Sequence, residues 1–229
     1  MKYKKTKNIL AYIGRRSPGS VIHLLNGIFN YVHVGWWFKQ KGLHAPVICD
    51  DRMEFYQHLS SLVKEPASYL EFGVFRGDSM RIWSGLLQNS DSTLEGFDSF
   101  EGLPEDWRMA ADKSTFDVKG EIPDIDDSRI RFHKGWFENT LPGFLEDFVP
   151  RQQLIIHFDA DLYSSTKYVI NRIEPYLVPG TVLVFDELYD RDHELKALDE
   201  FLAEHPMTLE CIGATLGLTQ AAFRILKRA

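Results

Sequence analysis

The sequence predicts an α/β domain in which a mostly parallel sheet carries helices on both faces, preceded by a basic helical extension. Three observations point there. From Ala67 onward, short apolar runs alternate with helical stretches, the pattern of strands connected by crossover helices. Glycines and acids gather just where those runs stop, and in open parallel sheets ligands bind outside the carboxyl ends of the strands. Finally, residues 1–49 hold eight of the 26 Lys and Arg (Lys2, Lys4, Lys5, Lys7, Arg15, Arg16, Lys39 and Lys41) and none of the 33 Asp and Glu. With 229 residues the chain suits one domain with an appendage, divided into an extension at 1–64 and a main domain at 65–229.

The extension opens on a charged segment, 1–16, that looks like the front of a signal peptide. Its apolar stretch is too short, and no small-residue cleavage site follows. Cys49 and Cys211 lie far apart and suggest neither a metal pair nor a disulfide framework, so the expected compartment is a reducing cytoplasm. Residues 21–38 are apolar in places, but His23, Asn26, Asn30 and His33 would be costly inside a bilayer, so no transmembrane segment is expected. Ile22, Leu25, Ile28, Phe29 and Val32 recur at helical spacing and predict an amphipathic helix near 20–38. That helix is expected to pack on the core. Weak contact with a membrane surface, aided by Trp36 and Trp37, and a homodimer through the N-terminal helices are the other fates open to it. The basic arm suits an anionic substrate, a membrane, a partner subunit or the chain's own acidic body equally well on charge alone.

Asp50 or Asp51 then caps a helix running through Met53, Phe55, Leu59 and Leu62. Strands are predicted at 68–72, 93–98, 130–134, 154–158 and 181–185, the last entered through the turn Pro179-Gly180. A helix at 194–204 and two closing strands, near 208–212 and 220–225, complete the sheet. Residues 102–127 form a long acidic linker with little apolar periodicity, as expected of a lid or binding loop.

Each strand end carries a candidate chemistry. The first reads Glu71-Phe-Gly73-Val74-Phe-Arg-Gly77-Asp-Ser79. Its glycines allow a tight turn and close backbone approach, and the helix start that follows offers N–H groups to a carboxylate. A diphosphate would avoid Glu71, whereas an amino group would welcome it. The second strand ends at Asp98-Ser99, where an acid can accept both hydroxyls of a ribose or simply cap a turn. Trp136 and Phe137 follow the third strand, where an aromatic ring can stack on a base or serve the core. The fourth strand delivers His157, Asp159 and Asp161, and the fifth Asp186 and Glu187. Carboxylates this close repel one another unless a cation or protons compensate, and an all-oxygen set favours a hard ion such as Mg²⁺. Asp161 is alternatively a helix cap, His157 a core histidine, and His193 a surface residue at a helix start.

Glu-Phe-Gly-Val-Phe-Arg-Gly, Gly-Phe-Asp-Ser-Phe-Glu-Gly-Leu-Pro, Phe-Asp-Ala-Asp-Leu-Tyr-Ser-Ser-Thr and the Pro-Gly…Phe-Asp-Glu segment together resemble the macrocin O-methyltransferase (TylF-like) family of class I methyltransferases. The resemblance runs from about residue 50 to 210. It implies a seven-stranded Rossmann-like fold, S-adenosylmethionine as methyl donor, Mg²⁺, and a hydroxylated, sugar-bearing small molecule as acceptor. The donor-binding set it implies is Glu71, Gly73, Val74, Gly77 and Ser79 toward the methionine part, Asp98 and Ser99 at the ribose, Trp136 and Phe137 at the adenine, and Asp159. The implied metal ligands are Asp159, Asp186 and Glu187. For an O-methyl transfer the candidate catalytic set is Asp159, Asp161 and His193, with Asp161 or His193 taking the hydroxyl proton. Two positions depart from the pattern: Glu187 stands where the family usually has Asp, and Leu162 where related catechol-type enzymes carry a lysine base. A non-catalytic S-adenosylmethionine-binding adaptor working through the basic arm is the rival expectation. No nucleic-acid partner is expected, because the acidic body and the acidic linker would repel phosphates.

Overall fold

A computed structural model describes residues 3–106 and 113–228. The chain begins with two helices, α1 (Lys4–Arg16) and α2 (Gly19–Lys41), followed by a two-residue strand β1 (Ile48–Cys49) and helix α3 (Arg52–Ser61). Then come β2 (Ala67–Phe72), α4 (Asp78–Leu86), β3 (Thr93–Asp98), β4 (Ile130–Lys134), α5 (Phe137–Glu146), β5 (Gln153–Phe158), α6 (Tyr163–Arg172), β6 (Val182–Phe185), α7 (Glu194–Glu204), β7 (Met207–Thr215) and β8 (Ala221–Arg228). The sheet has eight strands in the order β1-β7-β8-β6-β5-β2-β3-β4. Every neighbouring pair is parallel except those made by β8, which runs against both β6 and β7.

Seven of these strands are those predicted from sequence. The eighth, β1, pairs Ile48 with Ala214 and Cys49 with Thr215 at the sheet edge. Two residues are too short to show a period in sequence. Helix α3 is capped by Asp51, whose carboxylate accepts the Glu54 N–H at 2.9 Å, while Glu54 reaches back to the Asp50 N–H at 2.7 Å.

The central strands are buried on both faces, so their side chains divide the core in two. One face packs Phe55, Tyr56 and Leu59 of α3 and Met80 and Trp83 of α4 against the sheet. The other packs α5, α6 and α7, together with Val34, Trp37 and Phe38 from the end of α2. On this second face four phenylalanines lie abreast across β3, β2, β5 and β6. Phe97 stacks on Phe72 at 4.9 Å, and Phe158 on Phe185 at 4.7 Å, with Phe72 and Phe158 6.2 Å apart. Each is the last or penultimate residue of its strand, so the next residue (Gly73, Asp98, Asp159 or Asp186) emerges at one common level. The aromatic row forms a dry floor beneath those four positions.

The expected packing of the N-terminal helix is met in part. Val34, Trp37 and Phe38 are buried, Trp37 Nε1 donates to Asp199 at 2.8 Å, and Tyr31 stacks on Tyr189 at 5.0 Å. The stripe at Leu25, Ile28, Phe29 and Val32, however, faces solvent, because the contact with the body is made by the side of α2 that carries Val34 and Trp37. The charged segment that looks like the front of a signal peptide forms helix α1 over Lys4–Arg16. Among the described residues no helix is long and apolar enough to cross a membrane.

Candidate functional site

The strand ends open onto a cavity of about 260 Å³. Its wall includes Gly73, Asp98, Ser99, Trp136, Phe137, Asp159, Asp161, Asp186 and Glu187 from the sequence-predicted set. Glu71, Val74, Gly77, Ser79 and His193 do not line it.

Gly73 is where β2 turns over the end of β5. Its φ is +97°, and a Cβ there would lie 1.8 Å from the Asp159 carbonyl oxygen, so no side chain fits. The turn is held by Asp98, whose Oδ2 accepts the N–H groups of Val74 at 2.7 Å and Phe75 at 2.8 Å while Oδ1 accepts that of Phe100 at 2.7 Å. Asp98 therefore ties β2's loop to the tip of β3. A carboxylate has about four acceptor positions, so one remains for a donor in the cavity. Behind the wall, Glu71 is fully buried and accepts from Ser79 Oγ and from Tyr69 OH at 2.6 Å. These partners occupy both of its oxygens inside the protein.

His157, also fully buried, links this side of the site to the acids beyond. Its Nδ1 lies 2.8 Å from Tyr69 OH and its Nε2 3.6 Å from Asp186 Oδ1. Burial alone would lower its pKa. Asp186 and Glu71 outweigh that and carry it up to about 10, which favours the charged ring between the two carboxylates. A ring nitrogen of His157 clusters within 4.8 Å of oxygens of Asp159 and Asp186.

Asp159 and Asp186 are electrostatically unlike. Burial and the charge of Asp186 raise the Asp159 pKa well above the usual carboxylate range. Asp186 is held below it: burial opposes the shift, but His157, Arg52 and Gln220 overcome it. Arg52 donates to Asp186 Oδ2 at 2.7 Å, and Gln220 Nε2 donates to Oδ1. Sequence reasoning missed Arg52, which sits in the cavity wall 134 residues away in the chain and carries no motif. It also missed Glu194 in α7, fully buried, whose Oε2 accepts the Glu187 N–H at 3.0 Å. Burial first, then the Glu187 charge, pushes Glu194 well above its ordinary pKa against the lowering pull of the Glu187 N–H.

Asp161 is buried in the wall with a φ of +59° and is not the cap of α6; that position is Leu162, without a side-chain cap bond. His193 stands at the start of α7, where its Nδ1 accepts the Tyr163 N–H at 3.2 Å. From the linker, Gly102, Leu103, Pro104 and Phe116 reach the cavity. Phe116 meets Phe75 edge to face at 5.3 Å, and Glu105 accepts from Ser164. Residues 107–112 of the linker lie outside the described residues.

The family model for macrocin O-methyltransferase (TylF) matches residues 43–215. The chain belongs to this family. The matched span starts just after α2 and takes in every strand end that lines the cavity. Among its relatives, the chain is 30% identical over 146 residues to the 8-demethyl-8-(2,3-dimethoxy-alpha-L-rhamnosyl)-tetracenomycin-C 4'-O-methyltransferase of Streptomyces olivaceus, covering 53% of each protein. It is 28% identical over 167 residues to the demethyldecarbamoylnovobiocin O-methyltransferase of Streptomyces niveus, covering 64% of this chain and 62% of that one. The chain thus spans between half and two thirds of the length of these relatives. In fold it is similar to the crystal structure of a calicheamicin methyltransferase, with a TM-score of 0.55, 21% identity and coverage of 97% and 92%. The O-methyltransferase from Bacillus cereus superposes with a TM-score of 0.52 at 16% identity, over 86% and 90% of the two chains. These likenesses establish the Rossmann-like α/β fold expected from the sequence.

Proposed function

We propose that this chain is an S-adenosylmethionine-dependent O-methyltransferase acting on a hydroxyl of a sugar-bearing small molecule in the cytoplasm. The observation that carries this reading is the common level at which Gly73, Asp98, Asp159 and Asp186 emerge around one cavity, within a chain of the macrocin O-methyltransferase family. The names of the tetracenomycin and novobiocin relatives support the reaction and the acceptor class.

In this reading Trp136 and Phe137 border the adenine, and Asp98 with Ser99 receives the ribose. Gly73 lets the methionine part lie against bare backbone. Glu71, Val74, Gly77 and Ser79 act from behind the wall, shaping the turn that the donor meets. Asp159, Asp161 and Glu187 face the far side of the cavity, where the acceptor enters. The residues hold the acceptor oxygen in line with the sulfonium, so that the C–O bond forms as the C–S bond breaks. Asp161 takes the hydroxyl proton, since His193 is turned to the Tyr163 N–H instead. Phe75, Phe116 and the linker exclude water from the reacting atoms.

The donor set also suits a hard divalent cation. Asp159 and Asp186 bring carboxylate oxygens within 4.8 Å of one another, and such oxygens are those Mg²⁺ prefers. Asp159, Asp186 and Glu187 would hold it, with Arg52 giving up Asp186 Oδ2. The chemistry such an ion supplies is orientation of the acceptor and a lowered hydroxyl pKa.

The test is methyl transfer from S-adenosylmethionine to a panel of glycosylated natural products, run with Asp159→Asn beside the wild type. Turnover should fall on the order of 100-fold or more in the variant, with S-adenosylhomocysteine affinity changed only a few-fold. Donor binding with no transfer to any glycosylated acceptor would favour the non-catalytic adaptor instead.

A further inference from the structure

The N-terminal helices present an apolar face that none of the described residues covers. On α2, Val21, Leu24, Leu25, Ile28, Phe29, Val32 and Trp36 follow helical spacing, and each is between 41 and 65% exposed. Val34, Trp37 and Phe38, which anchor the helix, point roughly the opposite way at ~100° of turn per residue. Ile9, Leu10 and Ile13 make a second exposed apolar stripe on α1, which also carries Lys5, Lys7, Arg15 and Arg16. No charged residue occurs between Gly19 and Phe38, while Lys39 and Lys41 close the helix. The whole arm is cationic, without a single acid before Asp50.

We propose that α1 and the outer face of α2 form a docking surface for an anionic lipid bilayer. A helix lying in the interface buries its apolar face at the acyl boundary and sets its cations among the headgroups, and these helices offer both parts. The polar residues His23, Asn26 and Asn30 lie away from the outer face and keep their hydration. Charge favours lipid over a second copy of the chain. In an isologous α2–α2 contact the apolar faces would pair, but the flanking residues on both copies are bases, and the nearby acid Asp199 is already held by Lys41 at 2.8 Å. An anionic surface supplies the missing charge and repels the acidic remainder of the chain, which fixes the orientation. Tyr31 stacks on Tyr189, two residues beyond Glu187 in the cavity wall, and so ties the middle of α2 to the body near the site.

Co-sedimentation with vesicles tests this independently of the methyltransferase reading. Two preparations are compared, phosphatidylcholine alone and phosphatidylcholine with about 30% phosphatidylglycerol. The wild type should partition onto the anionic vesicles about tenfold more strongly or better, and lose that advantage at about 0.5 M salt. Lys5→Gln/Lys7→Gln/Arg15→Gln/Arg16→Gln and, separately, Leu24→Ser/Ile28→Ser/Val32→Ser should each weaken anionic binding about tenfold or more. Their melting temperatures should stay at the wild-type value, because every altered side chain is exposed. Equal binding to both vesicles would overturn the proposal, as would wild-type binding by both variants. So would a solution dimer that Leu24→Ser/Ile28→Ser/Val32→Ser dissociates while wild-type protein ignores the vesicles.

Discussion

At the residue scale, single side chains with several partners decide both the site and its surroundings. Asp98 is one, since its carboxylate gathers three backbone N–H groups from two loops. Under the proposed donor site, Asp98→Ala should therefore lower S-adenosylhomocysteine affinity by about 10- to 100-fold by calorimetry, through a loosened turn as well as loss of the proposed ribose contact. Arg52 is another. Under the proposed cation site it competes for Asp186 Oδ2, so Arg52→Ala should tighten Mg²⁺ binding about tenfold; weaker binding would show that Arg52 helps to build the site. Far from the cavity, Arg129 joins Asp127 to the carbonyl oxygens of Ser84, Leu87 and Asn89. Arg129→Ala should cost about 2–3 kcal/mol in urea unfolding, because three carbonyls and a largely buried carboxylate lose their donor. The Arg129 hydrogen bond holds the Asp127 pKa below its ordinary value, against the pull of burial. A depressed carboxylate adds stability above its unfolded pKa of about 4 and loses it as pH falls through the folded value. Asp127→Asn should accordingly flatten the acid limb of the stability profile and leave its neutral region parallel to the wild type.

At the element scale, the strands that build the site were legible because each has Phe as its last or penultimate residue, followed by a glycine or an acid. That arrangement imposes a visible change from apolar to polar at β2, β3, β5 and β6. Gly73 shows how tightly those ends meet. Gly73→Ala puts a methyl group into the Asp159 carbonyl, so it should cost at least about 3 kcal/mol and lower the melting temperature by roughly 6–12 °C. Asp98, Asp159, Asp161, Asp186 and Glu187 were readable for the same reason, as residues next to strand ends. Arg52 and Glu194 were not, because each meets the site through tertiary packing, from a helix start and from a helix's first turn. The burial of Glu71 and Ser79 was equally hidden, since their mutual hydrogen bond and the Tyr69 contact depend on how β2 faces α4. Helix α1 escaped because its basic, mixed sequence looks like a leader. The outward face of α2 escaped because hydrophobic periodicity identifies an apolar stripe without saying what covers it.

At the scale of the whole molecule, a cationic, apolar-faced arm and an acidic α/β body divide the work. The body, matched by the family model over 43–215, carries the cavity; the arm lies mostly before that span. Ligand that binds only the folded state should stabilise the body as a unit. S-adenosylhomocysteine at about 100 times its Kd is expected to add about 2.7 kcal/mol, seen as a melting-temperature rise of roughly 5–10 °C. Asp98→Ala should lose most of that rise at the same ligand concentration. The most direct measurement is a crystal structure of the chain with S-adenosylhomocysteine. The account predicts adenine beside Trp136 and Phe137, ribose hydroxyls at Asp98, and the sulfur facing Asp159 and Asp161. A ligand bound outside the cavity, or lodged in it with the adenine at the Asp159–Asp186 end, would contradict it.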